Sequence, residues 1–160
     1  MIQEKYNRRI YDEGTNEAIL DLSHLRTNAL EPVKITSEDS VLVFEPKSKA
    51  VVEWLQEKSK NVVVADGNTS ISEDFDVIIS LGAITETPQA MKEHLTAGGK
   101  IVYAFSEKSA DIGFIKKLFK EAGMNKIETF RLLPDYLFTK EIYAEDILQG
   151  GAGDYLLIAE

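Results

Sequence analysis

The apolar residues of this 160-residue chain fall into short blocks whose spacing alternates between two periods. Val41-Leu42-Val43-Phe44, Val62-Val63-Val64-Ala65, Val77-Ile78-Ile79 and Ile101-Val102-Tyr103-Ala104-Phe105 are continuous runs of strand length. Runs of that kind suit strands buried on both faces, as in a parallel sheet. Around and between them apolar positions recur three and four apart. Ala18, Ile19, Leu22, Leu25 and Ala29 predict a helix over about 16–30, with Thr15 or Asn16 as its cap and Pro32 just past its end. Val51, Val52 and Leu55 predict a helix after Ser48, with Trp54 at its side. Thr87-Pro88 starts another, carrying Met91 and Leu95. Ile112, Ile115, Leu118, Phe119 and Ala122 predict the clearest amphipathic helix, stopped by Gly123. Ala97-Gly98-Gly99 turns the chain, and Lys126–Leu132 and Tyr155–Ala159 close it as two strands with no helix between them.

Strands alternating with helices of about ten residues imply βαβ units and a parallel sheet. Two closing strands without a helix imply an antiparallel pair. The predicted fold is therefore α/β: a Rossmann-like three-layer sandwich, mostly parallel, with an antiparallel C-terminal strand. A chain of this length is expected to form one domain over residues 1–160, with residues 1–35 an N-terminal helical extension and 36–160 the α/β core.

Composition narrows the partners. The formal net charge is −9, which argues against binding to nucleic acid or to anionic membranes, since both reward a surplus of Lys and Arg. Arg8 and Arg9 make one small basic spot, more in keeping with a solvated segment than a phosphate site. There is no cysteine, so disulfides and thiolate metal sites are excluded, in keeping with a reducing cytoplasm. No apolar run reaches the roughly 18–20 residues that span a bilayer, and the first residues lack a signal-like apolar stretch. The expectation is a cytoplasmic protein. His24 and His94 have no partner at metal or triad spacing, and no phosphate-loop or zinc pattern occurs.

Several stretches, in order, carry a resemblance. "FDVIISLGAI" (75–84), "MKEHLTAGGKIVYAF" (91–105), "FIKKLFKEAGMNKIETFRLLPD" (114–135) and the closing "DYLLIAE" resemble the fourth to seventh strands of class I S-adenosylmethionine-dependent methyltransferases, with their intervening segments. "LDLSHLRTNALE" (20–31) and "LLPDYLFTKEIYAED" (132–146) are similar to segments of methyltransferase domains in polysaccharide and glycan biosynthesis. The resemblance covers about residues 18–160.

Two departures from that family matter. Its first strand leads into a Gly-x-Gly-x-Gly turn, whose bare backbone approaches the cofactor. Here the strand runs into Glu45-Pro46-Lys47-Ser48-Lys49-Ala50. Second, only Asp66 to Phe75 separate "NVVVA" from "DVIIS", where the family fits a helix, a strand and a second helix. Ten residues reach at most ~33 Å, enough to return along the sheet but not to build those elements. A shortened sheet without the third strand is expected, or one in which "VVVADGN" is the third strand and the second is deleted.

Candidate cofactor-binding residues are Glu45, Asp66, Ser80 and Gly82, all at the carboxyl ends of predicted strands, where open α/β sheets bind ligands. By resemblance, Asp66 matches the acidic residue that holds the cofactor ribose, or a neighbour near adenine. By its own chemistry it is an Asp-Gly turn residue. Glu45 is either a pocket carboxylate or a loop acid, and Gly82 allows either a close ligand approach or a tight strand exit. The 21-residue connection 133–153, with Tyr136, Phe138, Ile142, Tyr143 and Ile147, could be a lid, a contact surface or ordinary core packing. Two functional readings follow. In the first, a methyltransferase-like domain without methyl-transfer activity serves as an interaction or regulatory module beside glycan synthesis, with no cofactor and with a protein partner or a second copy bound. In the second, an active transferase uses S-adenosylmethionine or a sugar nucleotide in a rebuilt site.

Overall fold

A computed structural model describes Thr27 and residues 30–46, 49–81, 87–106, 111–132, 143–144 and 154–160. The predicted helix over 16–30 lies outside these residues except for Thr27 and Leu30, as does nearly all of the 133–153 connection. The described elements run β1 (Ser40–Phe44), α1 (Lys49–Lys58), β2 (Asn61–Ala65), β3 (Phe75–Leu81), α2 (Pro88–Lys92), β4 (Leu95–Ser106), α3 (Ile112–Glu121), β5 (Ile127–Leu132), β6 (Tyr143–Ala144) and β7 (Asp154–Ala159). They build one seven-stranded sheet in the order β2-β1-β3-β4-β7-β5-β6. β2, β1, β3 and β4 are parallel, and β7 enters antiparallel between β4 and β5.

Each apolar run forms the strand its composition favours, and burial explains why. Val41 to Phe44, Val77 to Leu81 and Ile101 to Phe105 are buried throughout, so β1, β3 and β4 have no solvent-facing side. Their side chains divide by alternation. Val41, Val43, Val77, Ile79, Val102 and Ala104 meet Val51 and Leu55 of α1 on one face, joined by Leu30 and Val33. Leu42, Phe44, Ile78, Ile101, Tyr103 and Phe105 meet Met91 of α2 and Ile115 and Phe119 of α3 on the other. On that second face, Tyr103 lies 5.6 Å from Phe119 edge to face, and Phe105 stacks on Tyr155 at 5.6 Å. A fully buried Leu, Ile or Phe contributes about 1.5–3 kcal/mol, more than the ~1 kcal/mol net of a ladder hydrogen bond, so covering both faces is what selects this arrangement.

The connections follow from the same need. The β1-to-β2 crossover uses α1 on the first face. The return to β3, residues 66–74, packs Ile71 on the second, as right-handed crossovers running in opposite directions require. No strand lies between β2 and β3 in the chain, and β2 pairs directly with β1 from Ser40–Asn61 to Phe44–Ala65. Among the described residues the sheet therefore ends at β2, beside β1, with no strand following it. This corrects the reading of Val62–Ala65 as a strand buried on both faces. Asn61 and Val64 are exposed and Val62 and Val63 half-buried, because among the described residues β2 has a sheet neighbour on one side only.

The helix at Thr87-Pro88 is also shorter than its spacing suggests. Thr87 caps it by accepting from Ala90 N, but it ends at Lys92, and Leu95 already belongs to β4, opposite Phe75. His94 lies in the intervening turn, where its carbonyl accepts from Phe75 N at 2.8 Å. Between Leu95 and Lys100 the pairing with β3 slips at Gly98 (φ 78°), and a Cβ on Gly99 would fall 3.0 Å from Asp76 O, so both glycines are required there. Asp111 caps α3 through Phe114 N. At the far edge β6 pairs with β5 through Phe130–Ala144 and Arg131–Tyr143. Among the described residues, no helix is long and apolar enough to cross a membrane.

One side chain fastens the amino ends of three strands. Asp76 of β3 accepts from Ser40 N at 2.9 Å and Ser40 Oγ at 3.0 Å on β1, and from Thr96 Oγ1 at 2.9 Å on β4. Its own amide donates to Ser40 Oγ at 3.1 Å. The Ser40 amide, with the Thr96 and Ser40 hydroxyls, holds the carboxyl below its ordinary value of 3.8 against a smaller opposing effect of burial. A depressed folded-state pKa stabilises the fold above the unfolded value and loses that contribution as pH falls through the folded one. Asp76→Ala is expected to cost about 1–2 kcal/mol at pH 7. The deficit relative to the unsubstituted protein should shrink below about pH 4, as read by urea unfolding across pH 2–7.

Candidate functional site

In an open α/β sheet the ligand crevice forms at the carboxyl ends of the strands, where successive crossovers leave in opposite directions. Here that point lies between β1 and β3. Phe44 pairs with Ala65 of β2 and with Ser80 of β3, so the exits of all three strands stand side by side. Glu45, Asp66 and Ser80 are thereby brought to one edge. Gly82 lies outside the described residues, as do Lys47 and Ser48.

Glu45 is the least expected of these. Its φ is 39°, the only positive value at a non-glycine residue among those described. A Cβ in that region crowds the backbone and costs about 1–2 kcal/mol. The bend is held from both sides: Glu45 N donates to Ala65 O at 2.8 Å, and Pro46 fixes the next φ. The chain leaves β1 through a left-handed bend, the conformation glycine adopts without strain, yet a half-buried carboxylate-bearing side chain occupies it. Sequence reasoning found Glu45 but not its conformation, because nothing in Glu-Pro signals a left-handed residue.

Asp66 closes the turn after β2. Its Oδ1 accepts from Asn68 N at 2.8 Å and from Thr69 Oγ1 at 2.9 Å, while its amide donates to Thr69 Oγ1 at 3.0 Å. Those donors hold the carboxyl below its ordinary value, the Asn68 amide most of all. The residue is exposed, and the same loop supplies all of these contacts. This is the Asp-Gly turn chemistry its sequence context suggested.

Ser80 is 2% exposed and sits within the second face of the sheet, between Phe44 and Tyr103 in register. Burial pushes the Tyr103 hydroxyl above its ordinary pKa of 10.0. This part of the edge is buried. Among the described residues no group of three His, Asp or Glu side chains could hold a metal ion. Asp76, a carboxylate with three donors from two other strands, lies at the opposite end of the sheet and acts on the fold.

No protein-family model matches the sequence, and no curated protein matches it. Solved structures do match in shape. An S-adenosylmethionine-dependent methyltransferase of Thermotoga maritima, described as a possible histamine N-methyltransferase, aligns over 98% of this chain and 94% of its own at a TM-score of 0.55 and 15% identity. A dimethyladenosine transferase of Plasmodium falciparum aligns over 88% of this chain at 0.58 and 12% identity; this chain spans 61% of it. A precorrin 8w decarboxylase of Methanobacterium thermoautotrophicum aligns over 85% of this chain and 89% of its own at 0.53 and 13% identity.

The fold is that of the class I S-adenosylmethionine-dependent methyltransferases. The mostly parallel sheet with its antiparallel C-terminal strand is a shortened form of it. At these identities the likeness establishes the methyltransferase-like architecture and leaves the chemistry to the residues themselves. Those residues depart from the expected glycine turn at the bend where the backbone is most constrained. Because Glu45 stands in a left-handed bend, Glu45→Gly should stabilise the domain by about 0.5–1 kcal/mol in urea unfolding. A loss of stability would show that the Glu45 side chain contributes more than its backbone strain costs.

Proposed function

We propose that this methyltransferase-like domain does not transfer methyl groups and acts as an interaction or regulatory module. The observation that carries the reading is the β1 exit, where Glu45 at φ 39° and Pro46 stand in place of bare glycine backbone. A methyl donor in the family's usual position packs against that turn, and a side chain there competes for the same space. The shortened sheet supports the same reading. Residues 66–74 hold neither strand nor helix, so the strand and helices that build one side of an adenosine pocket have no counterpart between β2 and β3. A role beside glycan synthesis rests on the resemblance of residues 20–31 and 132–146 alone.

The competing reading, an active transferase, draws on two carboxylates, Glu45 and Asp66, at one sheet edge. Methyl transfer by positioning needs little acid–base machinery, so such an enzyme would need only a cavity and a ribose-binding acid. Asp66 spends Oδ1 on its own turn, which weakens it for that part. Calorimetric titration with S-adenosylmethionine and with S-adenosylhomocysteine separates the two. The expected outcome is no saturable binding tighter than about 1 mM. A micromolar dissociation constant for either ligand would overturn the proposal.

A further inference from the structure

The outer edge of β2 carries a self-complementary pattern. We propose that it pairs with β2 of a second copy of this chain, antiparallel, about a two-fold axis through Val63. The inference does not depend on whether the domain binds a cofactor.

Main-chain direction comes first. Ala65 O accepts from Glu45 N at 2.8 Å, so Ala65 turns its main-chain groups toward β1. In a parallel ladder alternate residues face the same neighbour, which sends Asn61 and Val63 the same way and leaves Val62 and Val64 pointing outward. The next outward residue, Asp66, has both groups engaged locally: its amide donates to Thr69 Oγ1 and its carbonyl accepts from Thr69 N. Among the described residues no strand pairs with this edge.

Side chains come second. Edge strands are ordinarily guarded by lysine, proline, a bulge or an inward charge. β2 reads Asn-Val-Val-Val-Ala and carries none of these, and Val64 is 46% exposed. Alternation places Val64 on the face of Val62, which packs with Trp54 against the cluster beneath α1.

Register comes third, and it is selective. With the axis at Val63, Val62 of each copy stands opposite Val64 of the other. Both are outward-facing, so two doubly bonded pairs form. Val63 meets Val63, and Lys60 meets the second copy's Asp66, so opposite charges close both ends. An axis at Val62 sets Lys60 against Val64. An axis at Val64 needs the main-chain groups that the Asp66 turn already uses. An axis between residues sets an outward residue against an inward one. Only the Val63 register satisfies backbone, apolar side chains and charge together. The axis runs perpendicular to the sheet, so both α1 helices lie on the same face and the two Val62–Val64 pairs extend the cluster beneath them. A five-residue strand pair buries less than the ~1,200 Å² of a standard interface, so a reversible dimer with a dissociation constant of about 1–100 µM is expected.

Sedimentation equilibrium of the full chain from about 1 to 500 µM tests this. Val64→Pro removes one outward amide without touching the β1 ladder, and should weaken the dimer about tenfold or more while far-UV dichroism stays unchanged. Lys60→Glu and Asp66→Lys should each weaken self-association for want of an opposite charge, and their equimolar mixture should recover it as a heterodimer. That recovery is readable even if the loss of the Asp66 turn lowers the melting temperature of the second variant. A monomer throughout the range overturns the proposal. So does a dimer indifferent to Val64→Pro, or a mixture that fails to recover. A monomer whose Val62 and Val64 amides are protected from hydrogen exchange would show the edge covered by the chain itself, and also overturns it.

Discussion

Three strands without a solvent-facing side set the terms for everything else in this molecule. β1, β3 and β4 are buried from end to end of their apolar runs, and a sheet of that kind has to be covered on both faces. The cover on one side is α1 with Leu30 and Val33. On the other it is α2, α3 and the Ile71 connection. Asp76 adds direction to this non-directional drive. By binding Ser40 and Thr96 it fixes how β1, β3 and β4 align at their amino ends, and so where they end at the carboxyl side. The position of the candidate site thus follows from contacts made at the far end of the sheet.

Much of this architecture is legible in the sequence because burial writes itself into composition. Val41–Phe44, Val77–Ile79 and Ile101–Phe105 are continuous apolar runs since both of their faces are covered. The ten residues from Asp66 to Phe75 are too few for another strand and two helices, and no strand lies between Ala65 and Phe75. Other features are not legible because they depend on partners distant in the chain. Val62–Ala65 has the composition of a central strand, but apolarity does not report how many neighbours a strand has. Leu95 lies four residues from Met91 and so mimics a helical pair, although its partner is Phe75 across the sheet. Asp76 has bonding partners 36 and 20 residues away, and no local pattern marks it. For the candidate site, the sequence places Glu45, Asp66 and Ser80 at the carboxyl ends of their strands, and the sheet brings these three to one edge. The left-handed bend at Glu45 and the burial of Ser80 come from tertiary contacts alone.

The shortened sheet ties together two features that look unrelated. Among the described residues no strand lies beyond β2, so the β1–β3 switch point has only β2 on that side and β2 itself is an edge. One topological difference therefore bears both on the switch point and on the outer backbone of β2. Glu45 belongs to both, since its amide joins the β1 exit to the last carbonyl of β2.

The placement of β7 has a consequence for how the molecule comes into being during synthesis. Among the described residues β5 joins the ladder of the parallel strands through β7, which is laid between β4 and β5 although it follows both in the chain. A nascent polypeptide that has released residues up to 132 carries β1 to β5 but not the strand that joins β5 to β4. Until Tyr155–Ala159 leaves the ribosome, β4 lacks the antiparallel neighbour that seals its flank.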